Sequence, residues 1–188
     1  MKVSIGVSNR HVHLKKEHLE VLFGQGFELH HEKDLVQPGE FATSEFVTIK
    51  TSKDEINKVR ILGPIRKYTQ VEISKTDAYK LGLNPPVRNS GELVGSSPIT
   101  IVGPMGSVDL TEGCIIATRH IHITPSMVHE LGLDGIETVS VKLDGEKGGI
   151  ISNVYIKAND NYAYEMHIDT DDANAHLIKS GDIAEIIK

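Results

Sequence analysis

Hydrophobic and polar positions alternate along much of this chain, and glycines repeatedly interrupt the alternation. Residues 41–51, 99–102, 138–143 and 150–158 change character at every second position, as strands with one buried face do. Residues 2–14 and 58–62 read as strands rich in β-formers, the first bending near Ser8 and Asn9. Residues 114–117 are a short apolar strand. A helix over 15–23 is closed by Gly24. Turns at 52–55 and 145–149, the Gly63-Pro64 stop, and loops at 85–86 and 91–98 punctuate these elements.

One strand-and-helix unit recurs. SNRHVHL over 8–14 returns as TRHIHI over 118–123, each with an arginine followed by two histidines one residue apart. Aligned without gaps, 69–83 (TQVEISKTDAYKLGL) matches 119–133 (RHIHITPSMVHELGL). Gln70 and Glu72 then fall on His120 and His122. Ser74 and Thr124 are helix caps, Pro125 suits a first helical position, and Gly82 and Gly132 suit left-handed stops. EMHIDTDDANAHLIKSGD is a further copy, with Glu165 and His167 at the paired positions and Gly181 as its stop. In the first copy Lys15 occupies the cap position, so that helix starts without a side-chain cap. Repeated units of strand, short helix and glycine stop predict a mainly β fold with short helices: small β-barrels capped by short α-helices. Composition places no domain boundary.

Net charge is −6 and no basic run exists, which argues against a nucleic-acid groove. Hydrophobic content is 39%, aromatics are 5% and tryptophan is absent, so Val, Ile and Leu must build the core. No apolar run is long enough to span a bilayer, and the first residues lack a signal-peptide pattern. The single Cys114 excludes an intrachain disulfide and fits a reducing compartment. It reads as a core residue rather than a nucleophile.

The paired positions carry the chemistry. Residues i and i+2 of a strand share a face, so His11 projects with His13, and His120 with His122. Side-by-side imidazoles form a partial metal site, and the competing reading is a hydrogen-bonded surface pair. Five histidines and one carboxylate (His11, His13, His120, His122, His167 and Glu72) suffice for two three-ligand zinc sites. Three protein ligands plus an open position is the catalytic pattern. Glu72 could equally be a plain surface carboxylate. His18, His30, His31, His129 and His176 read as solvated or packing residues. Arg10 and Arg119 precede the histidine pairs, and Arg60 and Arg66 flank Gly63-Pro64. Guanidinium forks bind phosphate; any one of the four could be a plain surface charge, and an arginine beside a zinc site is the better anion candidate. Asn174, on the polar side of the last helix, could donate a hydrogen bond.

Four blocks, VSNRHVHL (7–14), LGPIRKYTQVEIS (62–74), ATRHIHI (117–123) and MHIDTDDANA (166–175), resemble the PduL-type phosphotransacylases, the phosphate propanoyltransferase family. The resemblance implies interconversion of acyl-CoA plus phosphate with acyl phosphate plus CoA. It also implies two β-barrels with an active site between them: 1–9 and 118–188 as one discontinuous domain, 10–117 as the other. Two zinc ions per chain are implied, one held by His11, His13 and His167, the other by His120, His122 and Glu72. Arg66 matches the phosphate-binding, catalytic arginine. Ser8, Asn9 and Arg10 match residues that approach CoA, joined by Arg60, Asn174 and the more weakly matched Lys53.

The expected partners are acyl-CoA, inorganic phosphate, acyl phosphate and further copies of the chain, as a homodimer or higher homo-oligomer. Nucleic acid and membrane are not expected. Acetyl and propanoyl groups differ by one methylene, which the sequence does not discriminate. Family members packed into bacterial microcompartments usually carry an amphipathic segment before the first strand. None precedes it here, so a cytoplasmic role in acetate or propanoate metabolism is expected, with the microcompartment lumen reachable through a partner. Two other classes stay open: a dinuclear-zinc thioester or phosphoester hydrolase, and a non-catalytic metal- or CoA-binding module.

Overall fold

The computed structural model describes residues 1–187; Lys188, the end of the expected segment 118–188, lies outside them. The chain runs β1 (Lys2–Ser8), β2 (His11–His13), α1 (Lys16–Phe23), β3 (His31–Asp34), β4 (Phe41–Lys50), β5 (Glu55–Gly63), β6 (Gln70–Glu72), α2 (Lys75–Leu81), β7 (Val87–Arg88), β8 (Ser97–Val102), β9 (Ser107–Ala117), β10 (His120–Ile123), α3 (Pro125–Glu130), β11 (Thr138–Leu143), β12 (Gly149–Ala158), β13 (Glu165–Asp169), α4 (Thr170–His176) and β14 (Ile183–Ile187). It is mainly β with short helices, as the alternation implies. The chain divides into two compact units: unit 1 is Met1–Asn9, Val36–Pro38 and Thr118–Lys188, and unit 2 is Arg10–Leu35 and Gly39–Ala117.

Each unit closes a six-stranded barrel. Unit 1 has the order β1-β13-β10-β12-β11-β14. Unit 2 has the ring β9-β6-β2-β5-β4-β8, closed because β8 pairs with both β4 and β9, with β3 and β7 as flanking strands. Pairing sense matches place by place. β1·β13 and β9·β6 are parallel, β13·β10 and β6·β2 antiparallel, β10·β12 and β2·β5 parallel, and the remaining pairs antiparallel. So β1 holds in unit 1 the place that β9 holds in unit 2. An Arg-His-x-His segment follows each of these closing strands directly. The expected single strand over 2–14 is therefore two strands, β1 and β2, serving different barrels.

Two separate cores fill the barrels. Unit 1 packs Ile5, Ile121, Ile123, Val141 and Met166; unit 2 packs Val12, Ile49, Ile61, Val71 and Ile101. All ten have 0% exposure, each burial contributing roughly 1.5–3 kcal/mol. These are the inward positions of alternating strands, so their outward neighbours define what each barrel presents.

The helices obey their caps. Ser74 and Asp77 form a reciprocal capping box on α2, and Gly82 stops that helix at φ 68°. Thr124 caps α3 with Pro125 in its first turn. Asp169 caps α4, which ends at Leu177 in the left-handed region (φ 55°), short of the expected Gly181 stop. Lys15 makes no side-chain cap bond on α1. Lys15→Ser should therefore stabilise the protein by about 0.5–1 kcal/mol, and Ser74→Ala should destabilise it by about 1 kcal/mol. Urea midpoints at constant slope check both signs.

Candidate metal centres

In unit 1, β10 and β13 lie antiparallel with His120 opposite His167, Ile121 opposite Met166 and His122 opposite Glu165. Ile121 and Met166 point into the barrel, so the four polar side chains share the other face. Ring centroids of His120 and His122 are 4.6 Å apart, His120 and His167 5.1 Å, and His122 and His167 4.8 Å. One nitrogen from each of these three rings lies within 4.8 Å of the others. The Tyr162 ring stacks on His122 at 4.1 Å. His120 donates from Nδ1 to the Thr118 carbonyl at 2.8 Å, which fixes the tautomer and turns Nε2 outward as a ligand atom.

Unit 2 repeats this register. β2 and β6 are antiparallel, with His11 opposite Glu72, Val12 opposite Val71 and His13 opposite Gln70. His11, His13 and Glu72 each offer one ligand atom within the same 4.8 Å limit, and His11 Nε2 is 3.5 Å from Glu72 Oε2. Gln70 donates to Glu72 Oε1 at 2.5 Å and to Ser90 Oγ at 2.9 Å, and accepts from the Gly91 amide at 2.7 Å. Each trio thus belongs to one unit. His167 and Glu72 change places relative to the sorting that the resemblance implies, because antiparallel pairing sets each opposite the histidine pair of its own barrel.

Burial tunes the rings. His13 and His120 are lowered well below the ordinary 6.5, first by desolvation, then by the His11 charge for His13 and the Lys157 charge for His120. His122 falls to about 3 through desolvation, His167 and Lys157. Imidazoles held neutral keep their lone pairs available to a metal. Two ring nitrogens, His13 Nδ1 and His122 Nδ1, are buried without a hydrogen-bond partner. Unpaired buried polar atoms are costly, and a metal would satisfy these two. The nitrogen- and oxygen-rich donor sets suit zinc.

Arg66 lies in unit 2 with Nη2 at 2.6 Å from Glu40 Oε1 and Nη1 at 3.2 Å from Tyr68 Oη and 3.3 Å from Ser90 Oγ. Its backbone amide donates to the Leu14 carbonyl, just past β2, at 2.9 Å. Hydrogen bonds therefore run from Arg66 through Ser90 and Gln70 to Glu72. The Arg66 charge also contributes to the depression of His13.

The other arginines are differently engaged. Arg10 forks onto Asp77, with both contacts at 2.8 Å, and Arg119 forks onto Asp172, with both at 2.7 Å. Each carboxylate stands in the first turn of its helix, so the arginine before each histidine pair clamps the helix that follows the opposing ligand strand. Arg60 binds Glu32 and the Thr43 carbonyl and lies over the Phe46 ring. Lys53 donates to the Tyr79 carbonyl at the end of α2. Asn9 and Asn174 are exposed. Ser8 is two residues beyond Gly6, which lies beside His167, so Ser8 shares the trio face. His30 and His31 bond Glu45 and Asp34, His18 bonds Thr69, His129 bonds Asp134 and His176 bonds the Lys147 carbonyl, all outside the trios. Cys114 is buried and its thiol is pushed up to about 12, mainly by desolvation, so no thiolate nucleophile is present there. Sequence reading passed over Glu40, Ser90, Lys157 and Tyr162. Gln70 and Glu165 occupied paired positions in the repeat, which was their available signal.

Comparison with known proteins adds an independent line. The sequence model of the phosphate propanoyltransferase family matches residues 4–179. A phosphate propanoyltransferase of Lachnoclostridium phytofermentans is 50% identical over 186 residues, covering 98% of this chain and 87% of its own. One from Thermotoga maritima is 48% identical over 187 residues (99% and 89%), and one from Rhodopseudomonas palustris is 46% identical over 187 residues (100% and 83%). Among the described residues no helix is long and apolar enough to cross a membrane.

The buried rings predict how the metal-free protein responds to acid. Above pH 6.5 His13, His120 and His122 are neutral both folded and unfolded, and add no pH dependence. Below 6.5 the unfolded chain takes up protons that the folded rings refuse, so stability is lost as pH falls, for His122 down to about 3. Urea midpoints measured in chelator from pH 7.5 to 5 should fall with pH, and His122→Asn should flatten that slope.

Proposed function

The chain belongs to the phosphate propanoyltransferase family, and we propose that it is a zinc-dependent phosphate acyltransferase exchanging short acyl groups, acetyl or propanoyl, between CoA and inorganic phosphate. We assign two zinc ions per chain, one to His120, His122 and His167 and one to His11, His13 and Glu72. Zinc at such trios would supply Lewis acidity for a thioester carbonyl and affinity for a departing thiolate.

The chain's own residues do the remaining work. Arg66 binds phosphate: its guanidinium is permanently charged, and its fork matches two phosphate oxygens. The observation that carries this reading is the run of hydrogen bonds from Arg66 through Ser90 and Gln70 to Glu72, which ties an anion-binding group to a ligand trio inside one unit. Glu40 and Tyr68 hold the guanidinium in orientation, and preorganisation of this kind lowers the entropic part of the barrier. Direct attack by phosphate is the simplest route, and the one thiol of the chain, protonated and buried, does not compete with it. Ser8, Asn9, Arg10, Lys53, Arg60 and Asn174 stay the candidates for CoA. Of these Ser8 lies on a trio face, whereas Arg10 and Lys53 would give up the Asp77 and Tyr79 contacts to reach a ligand.

CoA release from acetyl- and propanoyl-CoA, followed with and without phosphate alongside metal analysis, tests the assignment. Release should require phosphate and yield acyl phosphate. Phosphate-independent release would identify a hydrolase, and zinc-replete protein without turnover would identify a binding module. Arg66→Ala should lower kcat/KM for phosphate on the order of 10- to 100-fold with zinc content unchanged. Arg66→Lys should restore part of that loss, keeping the charge without the fork. Wild-type phosphate dependence in the alanine variant would make Arg66 a surface charge.

A further inference from the structure

The two trios share a register and differ in one ligand, and the residue beside that ligand differs with it. Glu72 is the third ligand in unit 2 and His167 the third in unit 1, each opposite the first histidine of its pair. Opposite the second histidine stand Gln70 in unit 2 and Glu165 in unit 1. Gln70 is fully buried and donates to Glu72 Oε1 at 2.5 Å. Glu165 is 7% exposed, and its Oε2 lies 3.1 Å from His167 Nε2. An amide donor thus supports the carboxylate ligand, while a carboxylate stands beside the imidazole ligand.

The surrounding structure is built around the Glu165 carboxylate. Gly6 on β1 pairs with His167 in parallel register. A Cβ at Gly6 would meet the Glu165 carboxyl carbon at 2.9 Å and its oxygens at 3.0 and 3.1 Å. Gly6 is not in the left-handed region, so its lack of a side chain is required by this close approach and not by its backbone. Gln37, whose amide is held by the Ala163 amide and carbonyl, reaches the same ring edge and donates from Nε2 toward His167 Nε2 at 3.4 Å. Glu165 stands outside the mutual 4.8 Å cluster of ligand atoms, which comprises the three imidazoles.

We propose that Glu165, seated in the space left by Gly6, is a positioning residue for the unit 1 metal centre: its carboxylate lies against the His167 ring and supplies the negative charge that three imidazoles lack. The inference rests on the zinc assignment of the preceding section. Charge bookkeeping supports it. A divalent ion on two imidazoles and Glu72 carries a net charge of +1. On three imidazoles it would carry +2, and Glu165 returns that centre to +1. Partners packed against metal ligands hold them in place, and removing one weakens metal binding about 10- to 100-fold. The same logic makes Gln70 the counterpart for Glu72, with an uncharged donor where the ligand is already anionic.

The experiment measures zinc affinity of the full chain at both sites by chelator competition, with Co(II) absorption as a second readout of ligand geometry. Wild type should bind two ions. In Glu165→Gln one site should weaken about 10- to 100-fold, with a changed Co(II) spectrum, while the other site keeps its wild-type affinity and serves as internal control. Glu165→Asp, which keeps the charge on a shorter arm, should recover part of the loss. In a His120→Asn background, where the unit 1 trio is already broken, Glu165→Gln should leave the remaining site unchanged. If Glu165→Gln does not fold, Gly6→Ala carries the same expectation, because its methyl displaces the carboxylate. Two sites at wild-type affinity in the folded variant would overturn the role of Glu165. Wild-type protein that binds no zinc would instead overturn the zinc assignment itself.

Discussion

The antiparallel pairing of two short strands in each barrel, locked by the apolar residues between the ligands, is the constraint on which the rest depends. Ile121 faces Met166 and Val12 faces Val71, all four at 0% exposure. Their burial, worth roughly 1.5–3 kcal/mol each, fixes which residue of one strand lies opposite which of the other. A slip of one residue would turn every polar side chain into the barrel and every core residue out. The cost of crowding desolvated imidazoles falls on the opposite face, where His13, His120 and His122 are held neutral. Core packing therefore sustains an arrangement that is electrostatically unfavourable in isolation and receptive to a metal.

The forked arginines extend the same logic to the helices. Arg10 precedes β2, and its partner Asp77 belongs to the helix after β6, the strand opposite β2. Arg119 precedes β10, and Asp172 belongs to the helix after β13. In each unit one charge-assisted pair thus ties the entrance of the histidine strand to the exit of its partner. Asp77 also completes the capping box with Ser74. Substituting the arginine would loosen a helix start and a strand approach together, so lost activity after such a change is weak grounds for a ligand contact.

How much of this the sequence reveals follows from the range of each interaction. Local rules were legible: the Ser74 and Thr124 caps, the Gly82 stop and the shared face of each histidine pair depend on neighbours within a few positions. Strand periodicity tells which face a residue takes and is silent on which strand lies alongside, so His167 and Glu72 could be named as ligand candidates without any sign of which histidine pair each would lie against. The Asp77 partner of Arg10 lies 67 residues away, beyond any local pattern. Glu40 and Ser90 sit in loops without a marked pattern, yet they hold the Arg66 side chain. The exposed β3, HEKD, has no apolar face to announce it, and the division of residues 2–14 between two barrels follows from ring closure, which no local feature encodes.

The equivalence of the two barrels makes their differences informative. Gln70 occupies the place of Glu165, and counting back four residues from each sets Arg66 against Asn161. On the other side of the histidine strand, Lys157 lies beside His122, and the register that places Arg60 beside His11 brings Leu62 to the matching position beside His13. The cations close to the trios therefore do not match: unit 2 has Arg60 on β5 and Arg66 from the loop before β6, and unit 1 has Lys157 on β12. A guanidinium on a loop, shared among Glu40, Tyr68 and Ser90, can grip two oxygens of an incoming anion. An ammonium on a strand acts as a compact point charge, felt mainly in the depressed His120 and His122. The barrel repeat explains why there are two trios, and these unmatched cations are the reason the two need not perform the same task.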